Sequence, residues 1–194
     1  AKTNQHGLRH DPFKALIVPR PIGWISTLSA DGVPNLAPYS FFNGVSVDPH
    51  IVMFASAGRK DSLVNAEATG EFVCNFASWD QRDQMNASSA TVGPEVDEFA
   101  LAGLATAPSQ TVKPPRVAGA PAHLECVYLQ TVPMVGRDGR HVYDVVFGEV
   151  TGIHIDDRFI TDGMLDTAAM KPIARLGYHD YAVVDEVFSL KRPS

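Results

Sequence analysis

The six residues Ile51–Ser56, IVMFAS, leave this chain few ways to fold. The run is continuously apolar up to its closing serine and too short for a helix that buries itself. It reads as a strand buried on both faces. It empties into Ala57-Gly58-Arg59-Lys60-Asp61-Ser62, which opens a helix. A buried strand, a loop of small residues carrying two cations, and a helix N-terminus together predict an anion site. The first amides of a helix have no partner within it, and its N-terminus is the positive end of the dipole.

Two further strands precede this unit, Ile22–Leu28 and Val33–Ser40. Asp31-Gly32 between them suits a tight hairpin turn. From Phe41 to His50 the chain carries two turn signals, Asn43-Gly44 and Asp48-Pro49. Phe41 and Phe42 fit either core aromatics or the wall of a pocket. Asp61 to Thr69 is expected to be helical, capped by Asp61 or Ser62 and stopped by Gly70. Glu71–Ser78 alternates as a half-buried strand, with Phe72, Cys74 and Phe76 on one face.

A polar helix is expected over Trp79–Ala90 and a short one over Val96–Ala102. The Pro- and Ala-rich segment Leu104–Pro121 reads as an irregular excursion. His123–Pro133 turns at Gly136–Gly139 and returns as His141–Ile155, with Gly148 and Gly152 as bend points. Long bent antiparallel strands suit a small barrel. Asp166–Arg175 is expected to be a loose helix broken at Pro172. The fold class is mainly β and antiparallel, with peripheral helices, as one domain over residues 1–194. Residues 1–10 read as a flexible tail.

Charge narrows the partners. Sixteen basic and 22 acidic residues leave a formal net charge of −6, which argues against a general nucleic-acid or anionic-membrane binder. No apolar run approaches the length of a membrane span, and AKTNQHGLRHD has no apolar signal-peptide core, so the expected location is cytoplasmic. Cys74 and Cys126 sit in apolar strands without a CxxC spacing and read as buried, reduced thiols. The histidines lack metal-ligand spacing, and no metal site is expected.

On residue chemistry, Lys60 offers a point charge, Arg59 a planar fork and Ser62 a hydroxyl at a helix N-terminus, with Ser56 closing the strand side. Asp61 sits awkwardly beside an anion and is expected to cap the helix or orient Lys60. In Asn35-Leu36-Ala37-Pro38-Tyr39-Ser40, the small Ala37 and Pro38 allow close approach of a flat ring, and the Pro38 carbonyl stays free to accept. Composition and spacing go no further than a mostly β domain with an anion-binding loop.

Four pieces add to this: PRPIGWIST, NLAPYSFFN, VDPHIVMF and KDS. In that order and spacing they resemble the flavin-reductase-like FMN-binding split-barrel family, over about Phe13 to Tyr181. The resemblance implies a split β-barrel of Greek-key-like antiparallel topology. It implies FMN, or FAD in its place, as cofactor, NAD(P)H as electron donor, a homodimer, and in some members a partner oxygenase. Lys60 and Ser62 would then hold the flavin phosphate with Ser56 and Arg59. Ala37 and Pro38 would line the ring site, Ser40 and Asn43 would meet the ribityl chain, and Asn35, Tyr39, Ala55 and Asp61 would also belong to the cofactor site.

Trp24 and Thr27 would line the pocket from the first strand, although Trp24 fits a core aromatic equally well. Arg175 would bring positive charge to the flavin edge, and His179 would help seat the nicotinamide nucleotide. The family commonly shows Arg-Leu-Gly-Gly before an aromatic. Here Tyr178 follows Gly177, so the second glycine is missing. Three functions follow: an NAD(P)H-dependent flavin reductase, a flavoredoxin-like electron carrier, or a flavin-binding protein without catalysis.

Overall fold

A computed structural model describes residues 6–193. The first half of the expected tail, residues 1–5, lies outside the described residues, and His6 to His10 are exposed and irregular. A short helix, α1 (Phe13–Leu16), follows, with the Asp11 carboxylate accepting the Phe13 amide at 2.8 Å.

The Asp31-Gly32 hairpin forms. Strands β1 (Gly23–Leu28) and β2 (Pro34–Tyr39) pair antiparallel, Gly23 opposite Tyr39 and Leu28 opposite Pro34. Gly32 takes φ +83°, the left-handed conformation that this turn needs.

A second hairpin corrects the sequence reading. Asn43-Gly44 does not turn the chain but lies inside a strand, β3 (Phe42–Val47). This strand pairs with β4 (His50–Ser56), Val47 opposite His50, so the turn is Asp48-Pro49 alone. Gly44 is absorbed by a bulge between itself and Ser46.

Helix α2 (Asp61–Thr69) then leads into β5 (Glu71–Phe76), and the long strands β6 (Ala122–Val135) and β7 (His141–Ile155) complete one seven-stranded sheet. Its order is β2-β1-β5-β6-β7-β4-β3, antiparallel throughout. Both edge strands, β2 and β3, are neighbours in the chain, joined by Ser40-Phe41. The Phe41 carbonyl accepts the Ala55 amide at 2.8 Å. The sheet therefore curls until its two edges meet at this corner, which makes it a split barrel. The β6–β7 register shifts at Phe147/Gly148 and Val150/Gly152, the two bend points that the glycines predict.

Two apolar layers hold the fold. Inside the barrel, Tyr39, Phe54 and Phe72 stack in sequence, with centroids 4.8 and 5.5 Å apart, among Ile25, Val146 and the two cysteines. Helix α2 lays Leu63 and Ala66 across this interior. Each large apolar side chain here, such as Phe54, Phe72 or Leu63, contributes roughly 1.5–3 kcal/mol by leaving water. Cys74 and Cys126 are free, and burial pushes the Cys74 thiol well above its ordinary pKa, so it is a poor nucleophile.

Outside, the alternate face of β1 and β2 offers Trp24 and Leu36. These pack against Met85 of α3 (Arg82–Ala87), Phe99 of α4 (Glu98–Leu101) and Val117. Strand β5 is thus buried on both faces, not half-buried as its alternation suggested. The expected Val96–Ala102 helix is shorter, with Asp97 capping the Phe99 amide.

The excursion 104–121 stays irregular apart from a two-residue ladder, Thr106–Ala107 with Arg116–Val117. One buried carboxylate pins it. Glu125 accepts the Gln110 and Thr111 amides and the Thr111 hydroxyl, and pairs with His154 at 2.5 Å. The loose helix expected over Asp166–Arg175 is only Thr167–Met170. Beyond Pro172 the chain becomes a strand, Ile173–Arg175, bridging Arg20–Pro21 and Tyr181–Val183.

Candidate functional site

Strand β4 alternates. Val52, Phe54 and Ser56 point into the barrel, while Met53 and Ala55 stay half-buried on its outer face. The apolar continuity of IVMFAS therefore reflects a cleft floor on the second face. Ala55 stands opposite Val145 of β7, and this floor meets the Ser40-Phe41 corner.

The resulting cleft is about 600 Å³, including the space at its open mouth. Ala37, Pro38, Tyr39, Ser40 and Phe41 wall one side, Ala55, Ala57 and Lys60 the other. Lys14, Ser89 and Tyr143 reach it from distant segments. Six of the residues proposed from sequence thus come together: Ala37, Pro38, Tyr39, Ser40, Ala55 and Lys60. A second groove continues from it, sharing Ser40, Phe41 and Ala55 and running past Met53, Val145, Arg20 and Asn43.

The helix N-terminus is placed as expected, with a different cap. Lys60, not Asp61 or Ser62, is the N-cap residue of α2, and no side chain caps it. Its carbonyl accepts the Leu63 and Val64 amides at 3.0 Å. Lys60 is exposed, and among the described residues it makes no ion pair and the Asp61 and Ser62 amides find no acceptor. Asp61, half-buried, lies in the first turn of the helix.

The serines behave otherwise than the resemblance implies. Ser56 is fully buried and donates to the Gly58 carbonyl at 2.7 Å. Ser62 faces the core because α2 buries Ser62, Leu63, Asn65 and Ala66 together, and its hydroxyl accepts from Asn35 at 2.8 Å. Asn35 and Asn65 both donate to the Thr27 hydroxyl at 3.1 Å. Thr27, Asn35 and Ser62 are thus a buried network beneath the helix N-terminus, one layer below the cleft.

Tyr39 completes that layer. It is 7% exposed, lines the cleft, and its hydroxyl has no hydrogen-bond partner although Ser56 and Ser62 are near. Burial pushes its pKa up, so it remains a neutral donor.

The other candidates fall away from the cleft. Trp24 is fully buried in the outer layer, its indole donating to Ser88 at 2.9 Å. As Ile25 and Thr27 face the interior, period-2 alternation sends Trp24 the other way. Arg59 reaches back along the helix to Glu67 at 2.5 Å. Asn43 is exposed and lies in the second groove, where its side chain accepts the Gly44 amide. Arg175 is occupied by the Tyr181 hydroxyl and the Tyr178 carbonyl, both at 2.5 Å. His179 is exposed on the adjoining turn.

Sequence reasoning missed Lys14, Ser89, Tyr143 and Arg20. Lys14, Ser89 and Tyr143 lie in no local pattern, and topology brings each to the corner from a remote segment; Arg20 lies within PRPIGWIST, but nothing in that motif singles out its arginine.

Residues 15–178 match the flavin reductase like domain family. An uncharacterized protein of Halalkalibacterium halodurans is 35% identical over 195 residues, covering 96% of this chain and 93% of that one. Component B of nitrilotriacetate monooxygenase from Bacillus cereus superimposes with a TM-score of 0.89 at 29% identity, over 97% and 96% of the two chains. The 2-nitrobenzoate 2-nitroreductase of Pseudomonas fluorescens gives 0.85 at 25%, over 98% and 95%. The chain belongs to the flavin reductase like domain family.

The residues present fit a flavin nucleotide. Lys60, without an ion pair among the described residues, the free Asp61 and Ser62 amides of α2 and the small residues Ala37, Pro38, Ala55 and Ala57 are what a phosphorylated, flat-ringed ligand requires. Among the described residues no helix is long and apolar enough to cross a membrane.

Proposed function

We propose that this protein is an FMN-binding oxidoreductase, an NAD(P)H-dependent flavin reductase that passes electrons to free flavin, oxygen, a metal complex or a partner oxygenase. The observation that carries this reading is the cleft itself. It joins an uncapped helix N-terminus with Lys60 at one end to the small-residue wall Ala37–Ser40 at the other. FMN, when bound, supplies the two-electron chemistry. Lys60 and the Asp61 and Ser62 amides would receive the phosphate. Thr27, Asn35 and Ser62 would hold the helix end in place. The likeness to a monooxygenase component supports a partner oxygenase. A homodimer accords with exposed apolar side chains beside the second groove, Leu16, Ile17 and Val18. A cytoplasmic location accords with two free cysteines.

A flavoredoxin-like electron carrier is the second reading. It is favoured by the RLGYHDY turn, where Tyr178 replaces a glycine and Arg175 is already bonded. Adding NADH or NADPH anaerobically to the FMN-loaded protein separates the two. Rapid bleaching supports the reductase. Reduction by dithionite alone supports the carrier.

The phosphate assignment is tested with Lys60→Ala. FMN affinity should fall about tenfold, since an exposed ammonium sits at the weak end of charge-assisted contacts, roughly 1.5 kcal/mol. Riboflavin, which lacks the phosphate, should lose far less. Equal losses in fluorescence titrations would move the phosphate away from Lys60.

A further inference from the structure

Arg20 is the strangest cation in the molecule. It is 7% exposed, yet among the described residues no carboxylate lies within ion-pair distance of it. Its Nη1 donates to the Lys14 and Ile17 carbonyls at 2.5 and 2.8 Å, and its Nη2 to the Leu176 carbonyl at 2.8 Å. Its Nε is buried without a partner. Carbonyl oxygens satisfy hydrogen bonds but do not cancel a charge, and a buried unpaired charge is costly.

A neighbouring charge makes matters worse. Arg175 stands opposite Arg20 in the short strand pair, and it too has no acid partner. Burial first, and Arg175 second, push the Arg20 pKa down. The guanidinium still stays charged near neutral pH, because an arginine begins so high. A fold that keeps two uncompensated arginines side by side holds a fixed positive potential.

That potential lies beside the cleft. The Arg20 guanidinium is 5.8 Å from the centre of the Phe41 ring, and Arg20 lines the groove that shares Ser40, Phe41 and Ala55 with it. Arg175, by contrast, is spent on Tyr181 and Tyr178 and borders neither space. In a partly dry site the field of a fixed charge is screened far less than in water.

We infer that Arg20, rather than Arg175, is the charge-setting residue of the flavin site, and that it favours the negatively charged reduced flavin ring over the neutral oxidised ring. Uptake of two electrons and one proton would leave the flavin ring with a single negative charge if its N1 stayed unprotonated. Arg20 opposes protonation there and holds the charge. The inference rests on the flavin reading above, and its test keeps the two apart.

The wild-type protein with FMN is reduced by dithionite against a reference dye over a range of pH. The pH at which the bound reduced cofactor takes up its N1 proton is read from its spectrum and compared with free reduced FMN. It is expected to be lower in the protein. Arg20→Gln is expected to raise it, and to weaken reduced relative to oxidised FMN about tenfold, which is about 30 mV in midpoint potential. Arg20→Lys should keep most of the effect. If Arg20→Gln does not fold, Arg20→Met, which keeps an unbranched apolar stem without the charge, takes its place.

A wild-type protonation pH equal to or above that of free reduced FMN overturns the inference. So does an unchanged affinity ratio in FMN-loaded Arg20→Gln. Failure of the wild-type protein to bind FMN overturns the functional reading, and this inference with it.

Discussion

The ring of Phe42 lies against the backbone of Gly23: a Cβ at Gly23 would stand 2.5 Å from the ring and 3.0 Å from the Phe42 Cβ. Phe42 begins β3, one edge of the barrel's seam, and Gly23 begins β1, the strand paired to β2 at the other edge. Gly23 also pairs with Tyr39, the last residue before the corner that walls the cleft. Gly23→Ala should therefore push the seam apart, costing about 1–3 kcal/mol as an overpacked contact. Because the Phe42 Cβ itself stands within 3.0 Å, a rotamer change relieves the ring contact but not the whole clash. Chemical denaturation should show the loss, with weaker FMN binding at concentrations where the variant is still folded. A Gly23→Ala protein as stable as wild type would mean that the seam is not packed on Phe42.

Acid stability should fall in two stages. His123 is buried with its Nε2 2.8 Å from the Val117 carbonyl, and burial, chiefly, lowers its pKa to about 4. The unfolded chain binds that proton near 6.5 and the folded one does not. The contribution is therefore complete above pH 6.5 and is lost as pH falls from 6.5 to 4. For Glu125, burial acts to raise the pKa, but the Thr111 and Gln110 bonds and the His154 charge outweigh it and hold it at about 2. Its contribution is present above the unfolded value near 4.5 and is lost as pH falls towards 2. Each stage is on the order of 3 kcal/mol at most. Urea midpoints measured from pH 7 to pH 3 should show the first loss flattened in His123→Gln and the second in Glu125→Gln. Unchanged profiles in both variants would refute the assignment.

The parts of the fold legible in sequence are those where one signal acts alone. His141–Ile155 emerges with the expected bounds, since its glycines mark bends and nothing competes with its β pattern. Asp61–Thr69 does too, between an anion loop and Gly70, which takes φ +76°. Strand β3 was hidden because Asn43-Gly44 is a good turn in isolation, and only pairing with β4 makes it extended. The site divides in the same way. Ala37–Ser40 and Lys60 lie in motifs, and the cleft contains them. Ser56 and Ser62 carry the right chemistry, but strand alternation and the buried face of α2 take their hydroxyls inward. Lys14, Ser89 and Tyr143 have no motif, because closure of the barrel alone brings them to the corner.

The turn after Arg175 separates two roles that a pair of glycines would share. Tyr178 takes φ +56°, a left-handed conformation that costs a non-glycine residue roughly 1–2 kcal/mol. Its side chain is half-exposed and stacks loosely on His10, with centroids 5.6 Å apart. Tyr178→Gly should relieve that strain, offset in part by the greater freedom of glycine in the unfolded chain. The net change should be a gain of up to about 1 kcal/mol. Gly177 serves space instead. A Cβ there would stand 2.6 Å from the Ala15 Cβ and 3.0 Å from its Cα. Ala15 belongs to α1, which carries Lys14 into the cleft and gives carbonyls to Arg20. Gly177→Ala should therefore displace α1, lose about 1–3 kcal/mol and weaken FMN binding. Thermal melts and FMN titrations of the two variants should move in opposite directions for stability, with affinity falling only in Gly177→Ala. If Tyr178→Gly is the more damaging of the two, the tyrosine side chain contributes contacts that outweigh its backbone strain.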